Sequence, residues 1–324
     1  MSASLYRRAD RGVVRVEGGD RVRWLGGMVS NEVTTLVAAP SGEERCACYA
    51  LLLSRQGRIV ADFHVVNRGE AFELVTSSAA VADILETLGK FIVADDVTLS
   101  DVSREFGHAS LEGEGLAEVL AGLGASELAE IPQDDARIVD LAGHPTLVVA
   151  GGESGAPALQ LVMPAAAADA VARAVEGAGA QSGERAELER LRIEAGVPTF
   201  GAELGPDALP AEARLEDRAI STTKGCYTGQ EVVERMRSQG KVGRLLVGLR
   251  FGQGAEASGA TPGDRLTTPE GARVGEITSV TASPRFGEIA LAFVRPAQAE
   301  PGSRLVVAER ADLTAEVCPL PFAP

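Results

Sequence analysis

The residues best suited to chemistry in this 324-residue chain fall in one octapeptide, Lys224-Gly225-Cys226-Tyr227-Thr228-Gly229-Gln230-Glu231. Lys224 is one of only three lysines among 31 basic side chains, so a chain that uses Arg almost everywhere has chosen an ammonium here. Cys226 stands two residues from that ammonium and just ahead of a helix-like stretch, two settings that favour a nucleophilic or ligating thiolate. The alternative is a free cysteine packed as a small apolar group. Tyr227 has the flat ring needed to stack on a ligand or to fill an interface. Asn31, in Val29-Ser30-Asn31-Glu32-Val33, either offers its amide to a ligand or caps a turn. Arg235, Arg237, Lys241, Arg244 and Arg250 gather five positive charges within 16 residues. Such a run suits an acidic ligand, or a solvated face paired with Glu231 and Glu234.

These residues need a scaffold, and the hydrophobic pattern outlines one. Gly12 to Val16 has strand texture, and Asp20 to Val33 places Val22, Leu25, Val29 and Val33 at helical spacing. From Ala47 to Thr76, β-branched and alternating runs separated by Gln56-Gly57 and Asn67-Arg68-Gly69 predict an antiparallel meander. Ser77 and Ser78 can cap a helix with Val81, Ile84, Leu85 and Leu88 on one face. Strand texture returns at Val97 to Val102. A second round follows, with strands at Arg137 to Leu141, Thr146 to Ala150 and Leu159 to Met163, and with Pro164 opening an Ala-rich helix. Gly183 to Ala195 is a strong helix ended by Gly196 and Pro198. Beyond Gly240, six short strands with frequent turns predict a small antiparallel barrel, interrupted by a flexible loop over Gly252 to Gly263. The expectation is an α+β protein of ferredoxin-like modules over residues 1–238, in two subdomains, and a β-barrel over 239–324.

Composition narrows the function. With 31 basic and 46 acidic residues the net charge is −15, the wrong sign for a non-specific polyanion binder, so direct nucleic-acid binding is not expected. Aromatics reach only 4%, leaving few platforms on which bases could stack. The four cysteines show no CxxC pair, which argues against a disulfide framework or a cysteine-only zinc site, and the three histidines lie far apart; no metal is assigned. No apolar stretch is long enough to span a bilayer, and the first residues are rich in Arg and Asp. A cytoplasmic protein without a membrane partner is expected.

The octapeptide resembles the signature of the YgfZ family of folate-binding proteins, which are similar in fold to the aminomethyltransferase, or T-protein, of the glycine cleavage system. The resemblance runs along the chain through WLGGMVSNEV, LLLSRQGRIVADFHV, LRIEAGVPTFGAEL and GEITSVTASPRFGEIALAFV. It implies a T-protein fold around a pocket for tetrahydrofolate or a derivative, with Glu194 matching the carboxylate that contacts the pterin. Tyr227, Asn31 and Arg235 would complete the folate contacts. Asp62, with Lys224 and Cys226, is the candidate catalytic group; Ala61 stands where T-proteins carry a second adjacent acid. The function so implied is assistance in building or repairing iron–sulfur clusters and thereby transfer-RNA modification, with reduced folate and iron–sulfur client or assembly proteins as partners and without demonstrated turnover. The alternatives are a tetrahydrofolate-dependent aminomethyltransferase or demethylase, and a direct RNA-binding modification factor.

Overall fold

The computed structural model describes residues 2–39, 44–240, 242–252, 259–308 and 310–323. Lys241 and the centre of the expected loop, residues 253–258, lie outside the described residues. The chain forms two compact units: one of residues 1–152, 156–185 and 217–230, the other of 153–155, 186–216 and 231–324. Among the described residues no helix is long and apolar enough to cross a membrane.

The first unit holds two sheets. The five-stranded sheet runs Ala47–Leu53, Ile59–Asn67, Ala71–Ser77, Arg11–Glu17, Thr98–Asp101, with all neighbours antiparallel. The expected meander is its first three strands. Gln56-Gly57 turns the first hairpin, where Gly57 takes φ of 72° and its N–H donates to the Ser54 carbonyl, a conformation that costs glycine nothing. Ser77 caps the turn leading to the Val81–Gly89 helix, its Oγ accepting from Ala79 N at 3.3 Å. That helix buries Val81, Ile84 and Leu88, worth roughly 1.5–3 kcal/mol each.

The six-stranded sheet is ordered Gln181–Gly183, Ser4–Arg7, Phe106–Glu112, Ala158–Pro164, His144–Ala150, Ala136–Leu141. Helices Leu116–Leu123 and Ala168–Gly177 pack into its core through Leu116, Leu120, Val171 and Val175. A second buried cluster joins the two sheets, with Val13, Ala47, Val66 and Val75 meeting Ala136, Leu147, Val149 and Val162.

Two local expectations are corrected. The helix expected over Asp20 to Val33 spans only Arg21–Gly26. Beyond Gly27, Val29 instead bridges to Leu52 and Ser30 N donates to Leu51 O, so the following segment lies along the edge strand of the sheet and helps bury it. Backbone demand at an unpaired strand edge outweighs the helical spacing. Pro164 ends a strand rather than opening a helix, and the helix starts at Ala168 after a short 3-10 turn.

In the second unit six strands close the expected antiparallel barrel in the order Leu245–Phe251, Gly287–Val294, Arg273–Ser283, Arg265–Thr267, Arg304–Val307, Arg310–Cys318. Leu249, Leu266, Ile277, Ala292, Leu305 and Val317 fill it. Most of the Arg185–Ala195 helix belongs to this unit and is anchored to the barrel by a buried ion pair. Arg192 and Glu203 meet at 3.0 Å with both side chains fully buried. Arg192 also donates to Ser279 Oγ at 2.8 Å and Val197 O at 2.7 Å, while Glu203 accepts from Thr278 and Ser279 at 2.7 and 2.6 Å. Those extra bonds are what make so deeply buried a pair tolerable.

Candidate active site

Strand register places the first group of polar residues. Tyr49 pairs with His64 and Leu51 with Asp62, so Tyr49, Asp62 and His64 share the sheet face that also carries Val13 and Val75. The Tyr49 hydroxyl donates to Asp62 Oδ2 at 2.9 Å. Asp62 Oδ1 is buried and has no hydrogen-bond partner among the described residues. Burial and the neighbouring Asp62 charge push the Tyr49 phenol well above its ordinary range, so it remains a donor at neutral pH.

Behind Tyr49 lies a relay of charged groups. The Arg218 guanidinium sits 4.3 Å over the Tyr49 ring and forks onto Asp134 at 2.9 and 2.6 Å. His64 Nε2 meets the same Asp134 carboxylate at 2.9 Å. Burial alone would raise Asp134, yet hydrogen bonds from Arg218 and His64 and the charge of Arg218 hold it well below the usual carboxylate range. Burial lowers His64, keeping it neutral, so Asp134 remains the permanent anion that orients Arg218. Asp135 fastens the same turn, its Oδ1 accepting from the backbone N–H groups of Cys46, Ala47 and Ala136. Tyr49, His64, Asp134 and Arg218 were not singled out from the sequence. Asp134 and Arg218 are 84 residues apart, and only the fold brings them together.

The octapeptide lies against the same sheet. Gly229 has φ of 85°, and a Cβ there would come within 2.6 Å of the Ser54 carbonyl oxygen, so a glycine is needed for this approach to the hairpin turn. Lys224 Nζ donates to the carbonyls of Val29 and Asn31 at 2.6 and 2.7 Å and lies 5.3 Å from the centre of the Tyr227 ring. Burial pushes this lysine down to about 8. Its compact ammonium fits between two carbonyls where a planar guanidinium would not, which accounts for a lysine in so Arg-rich a chain. Ser30 Oγ and Ser221 N add further bonds between the two segments, so residues 217–228 and 29–31 form one clasp on the edge strand.

The remaining expected site residues fall as follows. Asn31 donates its amide to Tyr49 O at 2.8 Å, and its Oδ1 accepts from Glu32 N, so both ends hold the clasp. Tyr227 is buried. Cys226 is an exposed free thiol, four residues before the Gln230–Gln239 helix, and is not packed as an apolar group. Glu194, in the second unit, is buried; its Oε1 accepts from Arg190 at 2.5 Å and its Oε2 is buried without a hydrogen bond, with Arg285 at 3.9 Å. Arg235 is exposed on its helix with no ion pair among the described residues. The other members of the basic run are engaged: Arg244 with Glu212 at 3.1 Å, Arg250 with the Ala323 carbonyl at 3.1 Å, and Arg237 with Glu234 at 4.0 Å.

The sheet-bearing N-terminal region and the closed six-stranded barrel each match a known domain. Residues 3–224 match the GCVT N-terminal domain and residues 244–323 the glycine cleavage T-protein C-terminal barrel domain, so the chain belongs to the glycine cleavage T-protein family. It is 28% identical to an aminomethyltransferase of Saccharopolyspora erythraea, over 99% of this chain and 87% of that protein. It is likewise 28% identical to an aminomethyltransferase of Listeria monocytogenes, over 99% of this chain and 86% of that one. The crystal structure of glycine cleavage system aminomethyltransferase T from Bartonella henselae superposes with a TM-score of 0.83 at 22% identity, covering 99% of this chain and 86% of that chain, and shows the same fold. These relatives overturn the expected role in iron–sulfur maintenance and transfer-RNA modification, with its iron–sulfur partners, and favour the aminomethyltransferase alternative.

Proposed function

We propose that this protein is a tetrahydrofolate-dependent transferase of the aminomethyltransferase type. The observation that carries the reading is the Asp62 carboxylate, with one oxygen fixed by Tyr49 and the other buried and open. That is the arrangement a general acid–base group needs: orientation from one side and an accepting lone pair on the other. The residues also suit a reduced folate, because Asp62 Oδ1 and Glu194 Oε2 are buried carboxylate oxygens without a hydrogen-bond partner among the described residues. Tetrahydrofolate, when bound, supplies the amine nitrogens that accept the one-carbon unit.

Glu194 accepts hydrogen bonds from the aminopyrimidine edge of the pterin, where a carboxylate can take two at once. Asp62 Oδ1 holds and returns the proton that must move as the amine leaves. Tyr49, held by the Arg218–Asp134–His64 relay, keeps Asp62 oriented, and Lys224 with Asn31 holds the clasp beside it. Tyr227 contributes an apolar wall, Arg235 adds positive charge toward an acidic folate tail, and Cys226 stands as an accessible thiol. Calorimetric titration with tetrahydrofolate tests the pocket. Binding should weaken roughly 10- to 100-fold in Glu194→Gln, the value of a hydrogen bond to a charged group. Absence of binding by the unaltered protein at millimolar ligand would contradict the reading.

A further inference from the structure

The surroundings of Glu194 hold an arrangement that needs a restraint. Its Oε1 accepts from Arg190 at 2.5 Å, while its Oε2 is buried without a hydrogen bond, although the Arg285 guanidinium stands only 3.9 Å away. A short movement would let Arg285 donate to Oε2, and a charge-assisted bond to a buried carboxylate oxygen is favourable. Something holds the guanidinium off. Its Cζ lies 4.7 Å from the centre of the Phe286 ring, within reach of a cation–π contact. Arg285 is thus claimed by two partners, an aromatic face and a carboxylate, and here it stays with the first.

Phe286 is itself braced. The backbone N–H groups of Arg285 and Phe286 both donate to Ser283 Oγ at 3.1 Å, which fixes the turn. The Phe322 ring lies 5.9 Å from the Phe286 ring, centre to centre, and both residues are buried. Phe322 N donates at 2.9 Å to the carbonyl of Glu194, one of the last in its helix, so one residue touches both the carboxylate's backbone and the ring that competes for Arg285. A Cβ at Gly248 would come within 2.6 Å of Phe322 Cζ, so the ring seats on a glycine. Arg250 donates to Ala323 O at 3.1 Å and secures the same segment. The barrel's last strand ends at Cys318 and its core is filled without either ring, so closing the barrel does not account for them. All of these residues belong to the second unit.

We propose that Phe286, braced by Phe322, is a positioning residue that keeps Arg285 from capping Glu194, so that Oε2 stays open to a donor from a ligand. That the ligand is a reduced folate rests on the function proposed above; that Arg285 is held off does not. Leucine in place of Phe286 keeps apolar bulk and removes the aromatic face. A crystal structure of Phe286→Leu without ligand should show an Arg285 nitrogen about 3.0 Å from Glu194 Oε2. In calorimetry, tetrahydrofolate should bind Phe286→Leu about tenfold more weakly than the unaltered protein, because the ligand must now displace Arg285. Combining Phe286→Leu with Arg285→Ala should regain that loss, a rescue that a merely structural role of the ring would not give. Phe322→Leu leaves the Phe286 ring but loosens its brace; it should move both readouts the same way by less, and it serves where Phe286→Leu does not fold. The inference is overturned if Arg285 stays at its distance or turns into solvent in the variant structures, or if Arg285→Ala leaves the weakened binding unrepaired. No tetrahydrofolate binding by the unaltered protein would remove the folate reading, and the variant structures alone would then decide whether Arg285 is held off.

Discussion

The hydroxyl of Tyr49 holds Asp62 by one carboxylate oxygen, at 2.9 Å, and leaves the other buried and without a partner. The two residues come from neighbouring strands and sit two positions apart in the register, on the same face, so the strand pairing itself sets their approach. Tyr49→Phe removes the hydroxyl and keeps the ring beneath Arg218. Turnover should fall roughly 10- to 100-fold, the range for a hydrogen bond to a charged group, with tetrahydrofolate affinity little changed. A steady-state split of kcat from KM checks this: an effect on KM alone would assign Tyr49 to binding.

Lys224 bridges two backbone carbonyls that nothing else in its segment replaces, at 2.6 and 2.7 Å. Lys224→Met keeps the stem and removes the ammonium, leaving both acceptors short of a donor. Urea denaturation should show a loss of about 1–3 kcal/mol. Because the planar fork of Arg matches this geometry poorly, Lys224→Arg should recover only part of it.

Arg192 and Glu203 form a fully buried pair that anchors the helix bearing Glu194. Arg192→Leu strands the Glu203 carboxylate and should cost about 3–5 kcal/mol, whereas the double change with Glu203→Leu should be milder than Arg192→Leu alone. A double-mutant cycle on denaturation midpoints measures the coupling.

Acid should destabilise the fold in two stages. From the ordinary histidine value of 6.5 down to about 4, the unfolded chain binds a proton that His108 refuses in the fold, so stability falls as pH drops through that window. His64, lowered by its own burial, acts in the same direction. Below the ordinary aspartate value of 3.8, Asp134 adds a further loss, because its folded carboxyl titrates lower than its unfolded one. Urea midpoints measured against pH should flatten across the first window in His108→Gln, and an unchanged slope would remove His108 from this account.

The fold was far more legible in the sequence than the site. The barrel and the meander announce themselves because half-buried antiparallel strands alternate with period two and are separated by turn residues. Ser4–Arg7 is too short to carry a pattern, and in Phe106–Glu112 the glycine and histidine that follow Phe106 blur it, so neither strand shows in the sequence. The helix predicted through Val33 failed where strand-edge pairing took over at Val29. Asp62 and Glu194 came from resemblance to a family. Tyr49, Asp134 and Arg218 could not come from any local pattern, since Arg218 and Asp134 are 84 residues apart and meet only once the strands are in register. Lys224 stands out in the sequence by its rarity, but its two carbonyl partners, more than 190 residues away, carry no local signal.

We propose that Asp62 performs proton transfer in a folate-dependent aminomethyl transfer, and turnover tests that role. The protein is given an aminomethyl donor and tetrahydrofolate, and 5,10-methylenetetrahydrofolate and ammonia are quantified for the unaltered chain and for Asp62→Asn. We expect product from the unaltered chain and a loss of about 10²–10⁴-fold in the variant, with folate still bound. No methylene product from the unaltered chain, or equal rates in the two proteins, would contradict the account.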